Sequence, residues 1–124
     1  MRSRFSAFVR GEVAWLWASL HPDHDDRAVA REAGIAVLKK NLARGVLYKH
    51  LTILDRRGPD GEGIWQVLFA ATLKQRGRDL SFVELSSFAH DGTGIRYLLG
   101  VLKPMSAIQG ELTELNIARF LALS

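Results

Sequence analysis

The sequence predicts an α+β domain, with N-terminal helices packed on an antiparallel sheet of about four strands and a C-terminal helical tail. Three observations carry this reading. Apolar residues in the first third recur at helical spacing. From Val46 the period switches to two. Three short turn sequences then separate the apolar runs, which implies an antiparallel meander rather than alternating α/β units.

Phe5, Val9, Val13, Leu16 and Leu20 form the stripe of a helix with one buried face. Gly11 followed by Glu12 divides it into a short helix and a longer one, because glycine weakens a helix interior and a carboxylate suits a new N-terminus. Residues 27–43 read as the next helix, with Ile35, Leu38 and Leu42 on one side and Lys39 and Lys40 near its end. Residues 46–55 read as the first strand, and Pro59, Asp60 and Gly61 stand in turn order after it. In residues 64–74 Trp65, Val67, Phe69, Ala71 and Leu73 share a face; a turn at Gly77 follows. The third strand puts Leu80, Phe82, Glu84, Ser86 and Phe88 on one face and Ser81, Val83, Leu85 and Ser87 on the other. "HDGTG" turns the chain into a fourth strand over residues 95–102. The apolar residues of the segment 104–124 fall all round a helical wheel, so it is either sandwiched in the fold or docks on another chain, a second copy included.

At 124 residues the chain is expected to form a single domain. A composition that is 48% hydrophobic and 24% charged is globular rather than disordered. No apolar run approaches the roughly 20 residues of a bilayer crossing, and no secretory signal pattern follows Arg2 and Arg4, so no membrane is expected and the cytoplasm is the expected location. The absence of cysteine excludes disulfides, thiolate zinc sites and a cysteine nucleophile. A net charge of +4 spread over the chain argues for a solvated surface rather than nucleic-acid binding, which would in any case weaken steeply with salt.

"HPDHDD", residues 21–26, has the residue types of a metal site: His21 and His24 with Asp23, Asp25 or Asp26. Pro22 disfavours a helical conformation at His21, so the two histidines are not expected to share a helical face. The favoured reading is punctuation, with Pro22 ending one helix and Asp25 or Asp26 capping the next. No metal or other cofactor is therefore expected, and only His21, beside the apolar helix end, has a claim to a site.

Glu84 lies among apolar residues on its strand face. A buried carboxylate must be paired, hydrogen-bonded or protonated, and a raised pKa suits it to proton transfer. The competing structural reading is an ion pair with Arg2 or Arg4. Tyr48, Trp65 and Tyr97 read as core or pocket-wall residues, and no phosphate loop, dinucleotide fingerprint or nucleophile elbow is present.

"MRSRFSAFV" with Gly11-Glu12, "WLWASLHP", "YKHLTIL", "ELSSF" and "RYLLG" together resemble the YchJ family of bacterial proteins over about residues 1–100. The resemblance implies the cone-shaped fold of nuclear transport factor two and ketosteroid isomerase, with helices packed into the concave side of a curved sheet. It carries over Arg2, Ser3, Arg4, His21, Pro22, Glu84, Ser86 and Phe88 as motif positions. The cysteine-rich SEC-C segments common in that family are not in this sequence, so their zinc does not carry over. Ile95 stands where the family has tryptophan, Tyr48 replaces a strand tryptophan, and Leu99 takes a usually acidic position.

The expectation is a non-enzymatic module that binds a small molecule or a protein segment, with a homodimer through the apolar tail as a further expectation. His21, Glu84 and Ser86 would face a cavity walled by Phe5, Trp15, Phe88 and Tyr97. The alternative is an acid/base isomerase or hydratase with Glu84 or His21 as base.

Overall fold

The computed structural model describes residues 2–10, 12–28, 31–42, 46–108 and 110–123; the side chains of residues 2, 3, 8, 9, 13, 25, 28, 31, 38, 40–42 and 46–48 lie outside the description. The order is α1 (Arg2–Arg10), α2 (Val13–Ala18), a 3₁₀ turn (Asp25–Ala28), α3 (Arg31–Leu42), β1 (Val46–Arg57), β2 (Trp65–Gln75), β3 (Arg78–Asp79), β4 (Phe82–His90), β5 (Ile95–Pro104), two further 3₁₀ turns and α4 (Ile117–Leu121). The helix break falls where Gly11-Glu12 predicts it. The Glu12 N–H donates to the Ala7 carbonyl at 2.9 Å, and its carbonyl accepts from Leu16 N at 3.0 Å, closing α1 and opening α2.

The "HPDHDD" segment is punctuation, in which both histidines accept backbone N–H groups and His24 caps the 3₁₀ turn. His21 Nδ1 accepts from Asp23 N at 3.1 Å and His24 Nδ1 from Asp26 N at 3.0 Å. Helix α3 is described from Arg31, and residue 27, where the helix is predicted to start, lies in the 3₁₀ turn. The side chain of Asp25, one of the two expected caps, lies outside the described residues. Trp17 packs on α3 at Gly34, where a Cβ would collide with the indole, and Arg27 stacks on that ring with Cζ 5.2 Å from its centroid.

The strands run antiparallel in the order β1-β2-β4-β5, with the two-residue β3 added beside β2. Across the register, Trp65 faces Phe88, Val67 faces Ser86 and Phe69 faces Glu84. Ser86 faces Gly100, Phe88 faces Tyr97 and Leu85 faces Val101. Side chains alternate across a pleated strand, so Glu84, Ser86 and Phe88 look to one side and Val83, Leu85 and Ser87 to the other, as the alternation predicts. Both sides are buried along β4.

On the helix face, Phe69, Ala71 and Leu73 pack with Phe5, Leu51, Ile53 and Phe82. On the opposite face, Leu68, Ala70, Val83 and Leu85 are sealed by Leu115, Ile117 and Phe120 of the tail. The segment 104–124 is therefore used inside the fold. It is not a long helix but two 3₁₀ turns and a five-residue helix. Asn116 caps that helix by accepting from Arg119 N at 2.8 Å, and Asp55 of β1 accepts from Ile117 N at 2.9 Å, which pins the helix to the sheet. Full burial of Ile117 and Phe120 contributes about 1.5–3 kcal/mol each. Among the described residues no helix is long and apolar enough to cross a membrane.

Candidate functional site

The backbone after α2 pairs with the edge of β5. Tyr97 N donates to the Ser19 carbonyl at 2.8 Å, and His21 N donates to the Tyr97 carbonyl at 2.6 Å. This bridge brings the N-terminal helices and the β4–β5 hairpin together around the Tyr97 side chain.

The Tyr97 hydroxyl lies over Gly100 and donates to Glu84 Oε2 at 3.0 Å; the Ser86 hydroxyl donates to the same oxygen. Gly100 makes the arrangement feasible. A Cβ there would meet the tyrosine hydroxyl and would sit 2.6 Å from Glu84 Oε2. Phe88 meets the Tyr97 ring edge-on at 5.6 Å, and His24 lies 5.4 Å from it, tilted by 38°. The guanidinium of Arg4, brought in by α1, stacks on the ring with Cζ 4.4 Å from its centroid. One of its terminal nitrogens donates to the Leu16 carbonyl at 3.2 Å and to the Ser19 hydroxyl, which in turn donates to Leu16 O at 3.0 Å. Arg4 thereby holds the C-terminal end of α2, where a cation is favoured.

Glu84 is 7% exposed. Burial raises its pKa, opposed by the Ser86 and Tyr97 hydrogen bonds and by the charge of Arg4. Burial also pushes the Tyr97 phenol far above its ordinary value, and the neighbouring carboxylate pushes the same way. Arg4 is lowered by burial, with the nearby acidic groups acting against that; a guanidinium stays charged throughout. Of the two arginines expected to pair with Glu84, the side chain of Arg2 lies outside the described residues, and Arg4 takes a different role. Among the described residues no salt bridge joins Glu84 to Arg4. The arginine stacks on the tyrosine that donates to the carboxylate, because Tyr97 reaches Glu84 first, across Gly100.

Beside this network lies a pocket of about 290 Å³. Its apolar walls are Trp15, Trp65, Val67, Phe88, Ile95 and Tyr97, and Arg4, Ser19 and Arg96 supply its polar atoms. Trp15 is 42% exposed and Ile95 51% exposed, so large apolar side chains stand at the mouth. A second hollow, about 480 Å³, lies at the other end of the sheet between Asp79–Phe82 and Leu102–Ser106.

Of the seven side chains expected around a cavity, Trp15, Phe88 and Tyr97 line the pocket. Glu84 and Ser86 sit behind Tyr97, tied to its hydroxyl. Phe5 packs into the Phe69 cluster instead. His21 lies against the hairpin, with Nε2 3.4 Å from the His90 carbonyl, and Pro22 is exposed in the turn beyond it. Among the motif positions Arg4 is central, whereas the side chains of Arg2 and Ser3 lie outside the described residues. Among the described residues no group of three or more histidine, cysteine or carboxylate side chains is placed to hold a metal.

Sequence reasoning passed over Ser19, Val67, Ile95 and Arg96 as pocket residues, and Gly100 as the gap under Tyr97. A glycine within a strand pattern signals close approach of another group, and that signal was available at Gly100. Ile95, Arg96 and Tyr97 all line the pocket although neighbours on a strand normally alternate; the β4–β5 register shift falls just beyond them, at Leu98.

Helices laid on one face of an antiparallel sheet, with a pocket between them, make this an α+β domain of the NTF2-like class. The chain belongs to the YchJ family: residues 1–100 match the family model described as "YchJ, middle NTF2-like domain". That span ends within β5, before the segment that seals the opposite face of the sheet. No curated protein and no solved structure gives a significant match.

Proposed function

We propose that the domain is a non-catalytic module that holds a small, largely apolar ligand in the pocket between α2 and the ends of β2, β4 and β5. The observation that carries this reading is the pocket's lining. Four aromatic side chains converge on about 290 Å³ with a few polar groups beside them, the composition of small-molecule sites. Trp15 and Ile95 remain half-exposed there, and apolar surface of that size left open at a concavity favours an occupant.

The acid/base alternative has weaker support. Glu84 is not among the pocket's walls, and its Oε2 already accepts from Ser86 and Tyr97. Nor is His21 a wall, and its Nδ1 accepts a backbone N–H.

Ligand-observed NMR with a set of small aromatic fragments tests the reading, using wild-type protein and Val67→Trp, which fills the pocket from its β2 wall. Binding to wild type that is lost in the filled variant supports the module. Absence of binding, or binding indifferent to Val67→Trp, overturns it.

A further inference from the structure

We infer that the ligand is a small aromatic carboxylate and that Arg96 selects its charge. This rests on the binding-module reading above and adds to it the chemical class of the occupant.

The charged side chains of the lining are both cationic, Arg4 and Arg96; the lining residues include no acid. The two arginines differ in what they have left to offer. Arg4 is built into the wall, donating to Leu16 O and Ser19 and stacked on Tyr97. It contributes positive potential from within. Arg96 gives Nε to Asp91 Oδ2 at 3.2 Å, and among the described residues its two terminal nitrogens make no hydrogen bond. A guanidinium held by Nε presents its end-on pair of donors, the geometry that matches both oxygens of one carboxylate.

The hold on Arg96 is itself constructed. Asp91 Oδ1 accepts from Thr93 N and Thr93 Oγ1, each at 2.8 Å, and from Gly94 N at 3.0 Å. The hairpin turn thus fixes one oxygen and leaves the other to orient the arginine. Those hydrogen bonds also hold Asp91 far below the usual carboxylate range, so it is ionised at neutral pH. The guanidinium lies close over Gly94, where a Cβ would approach Cζ to 3.4 Å. Orientation fixed in advance lowers the ordering cost of binding. The aromatic part of the ligand follows from the faces of Trp15, Trp65 and Phe88 around the same space. Its size is limited by a volume at the low end of small-molecule pockets.

The test is calorimetric titration of the whole chain with 2-naphthoate and with its neutral counterpart, 2-naphthamide. The naphthoate should bind about tenfold or more tightly than the amide, as a paired charge-assisted contact implies. Arg96→Met should bring naphthoate down to about the amide's level, with the variant's thermal unfolding transition as the check on folding. Arg96→Lys, which keeps the charge but loses the fork, should fall between. Equal binding of the two compounds by wild type overturns the carboxylate inference and leaves the module reading standing. Binding of neither overturns both. A naphthoate preference that survives in Arg96→Met removes Arg96 from the role.

Discussion

The two faces of β4 carry alternate residues of one nine-residue strand and have been put to different uses. Val83 and Leu85 enter an apolar cluster closed by Leu115, Ile117 and Phe120. Glu84, Ser86 and Phe88, one step away each, enter a polar and aromatic network beside an open pocket. A face sealed by hydrocarbon contributes burial without further conditions. The other face needs hydrogen-bond partners for its buried carboxylate, a glycine to make room for them, and an arginine stacked on the tyrosine that supplies one. Both faces bury apolar clusters, but only the second carries the polar network and the pocket for which we propose binding.

Substitutions should separate the two uses. The largest effect is expected from Phe120→Ala, which truncates a side chain 1% exposed at the centre of the sealed face. A loss of about 3–5 kcal/mol is expected in denaturant unfolding, with fragment binding intact in the fraction that stays folded.

Gly100→Ala comes next, at about 1–3 kcal/mol, as overpacking against the Tyr97 hydroxyl and Glu84 carboxylate. In a Tyr97→Phe background the same change should cost less, since one of the colliding groups is gone. Equal costs in the two backgrounds would break the proposed link between Gly100 and the tyrosine hydroxyl.

Glu84→Gln should act more gently and with the opposite sign at neutral pH. The folded-state pKa of Glu84 lies above its ordinary value of 4.5. Between the two values the native state keeps a proton that the unfolded chain has lost, so wild-type stability falls as pH rises through that window. The glutamine oxygen still accepts from Ser86 and Tyr97 but does not titrate. Its advantage over wild type should therefore grow as pH rises from below 4.5 and level off above the raised pKa; unfolding curves over that range would show it. The smallest stability effect, below about 1 kcal/mol, is expected for the half-exposed Trp15→Ala, together with loss of fragment binding.

The comparison also shows where the sequence was readable. The Gly11-Glu12 break, the switch to period two and the turns around Asp60 and Asp91 were legible because each is a local effect of spacing or turn chemistry. Alternation alone placed Glu84, Ser86 and Phe88 together. The tail was illegible: an apolar pattern without a period has no preferred wheel position, and two 3₁₀ turns with a short helix impose none. The hydroxyl of Tyr97 over Gly100 and the hold of Asp91 on Arg96 depend on strand register and on a shift within it. Neither is encoded in the spacing of one segment. Phe5 joined the core because α1 lies over Phe69 and Leu73 as well as over Tyr97, a matter of helix placement rather than of periodicity.

The most direct measurement is amide chemical-shift mapping of wild-type protein as an aromatic fragment such as 2-naphthoate is added. The perturbed amides are expected to cluster at Trp15, Trp65, Phe88, Arg96 and Tyr97, with Leu115 to Phe120 silent. Perturbations centred on the sealed face, or on the hollow between Leu80 and Leu102, would contradict the assignment of binding to the helix face.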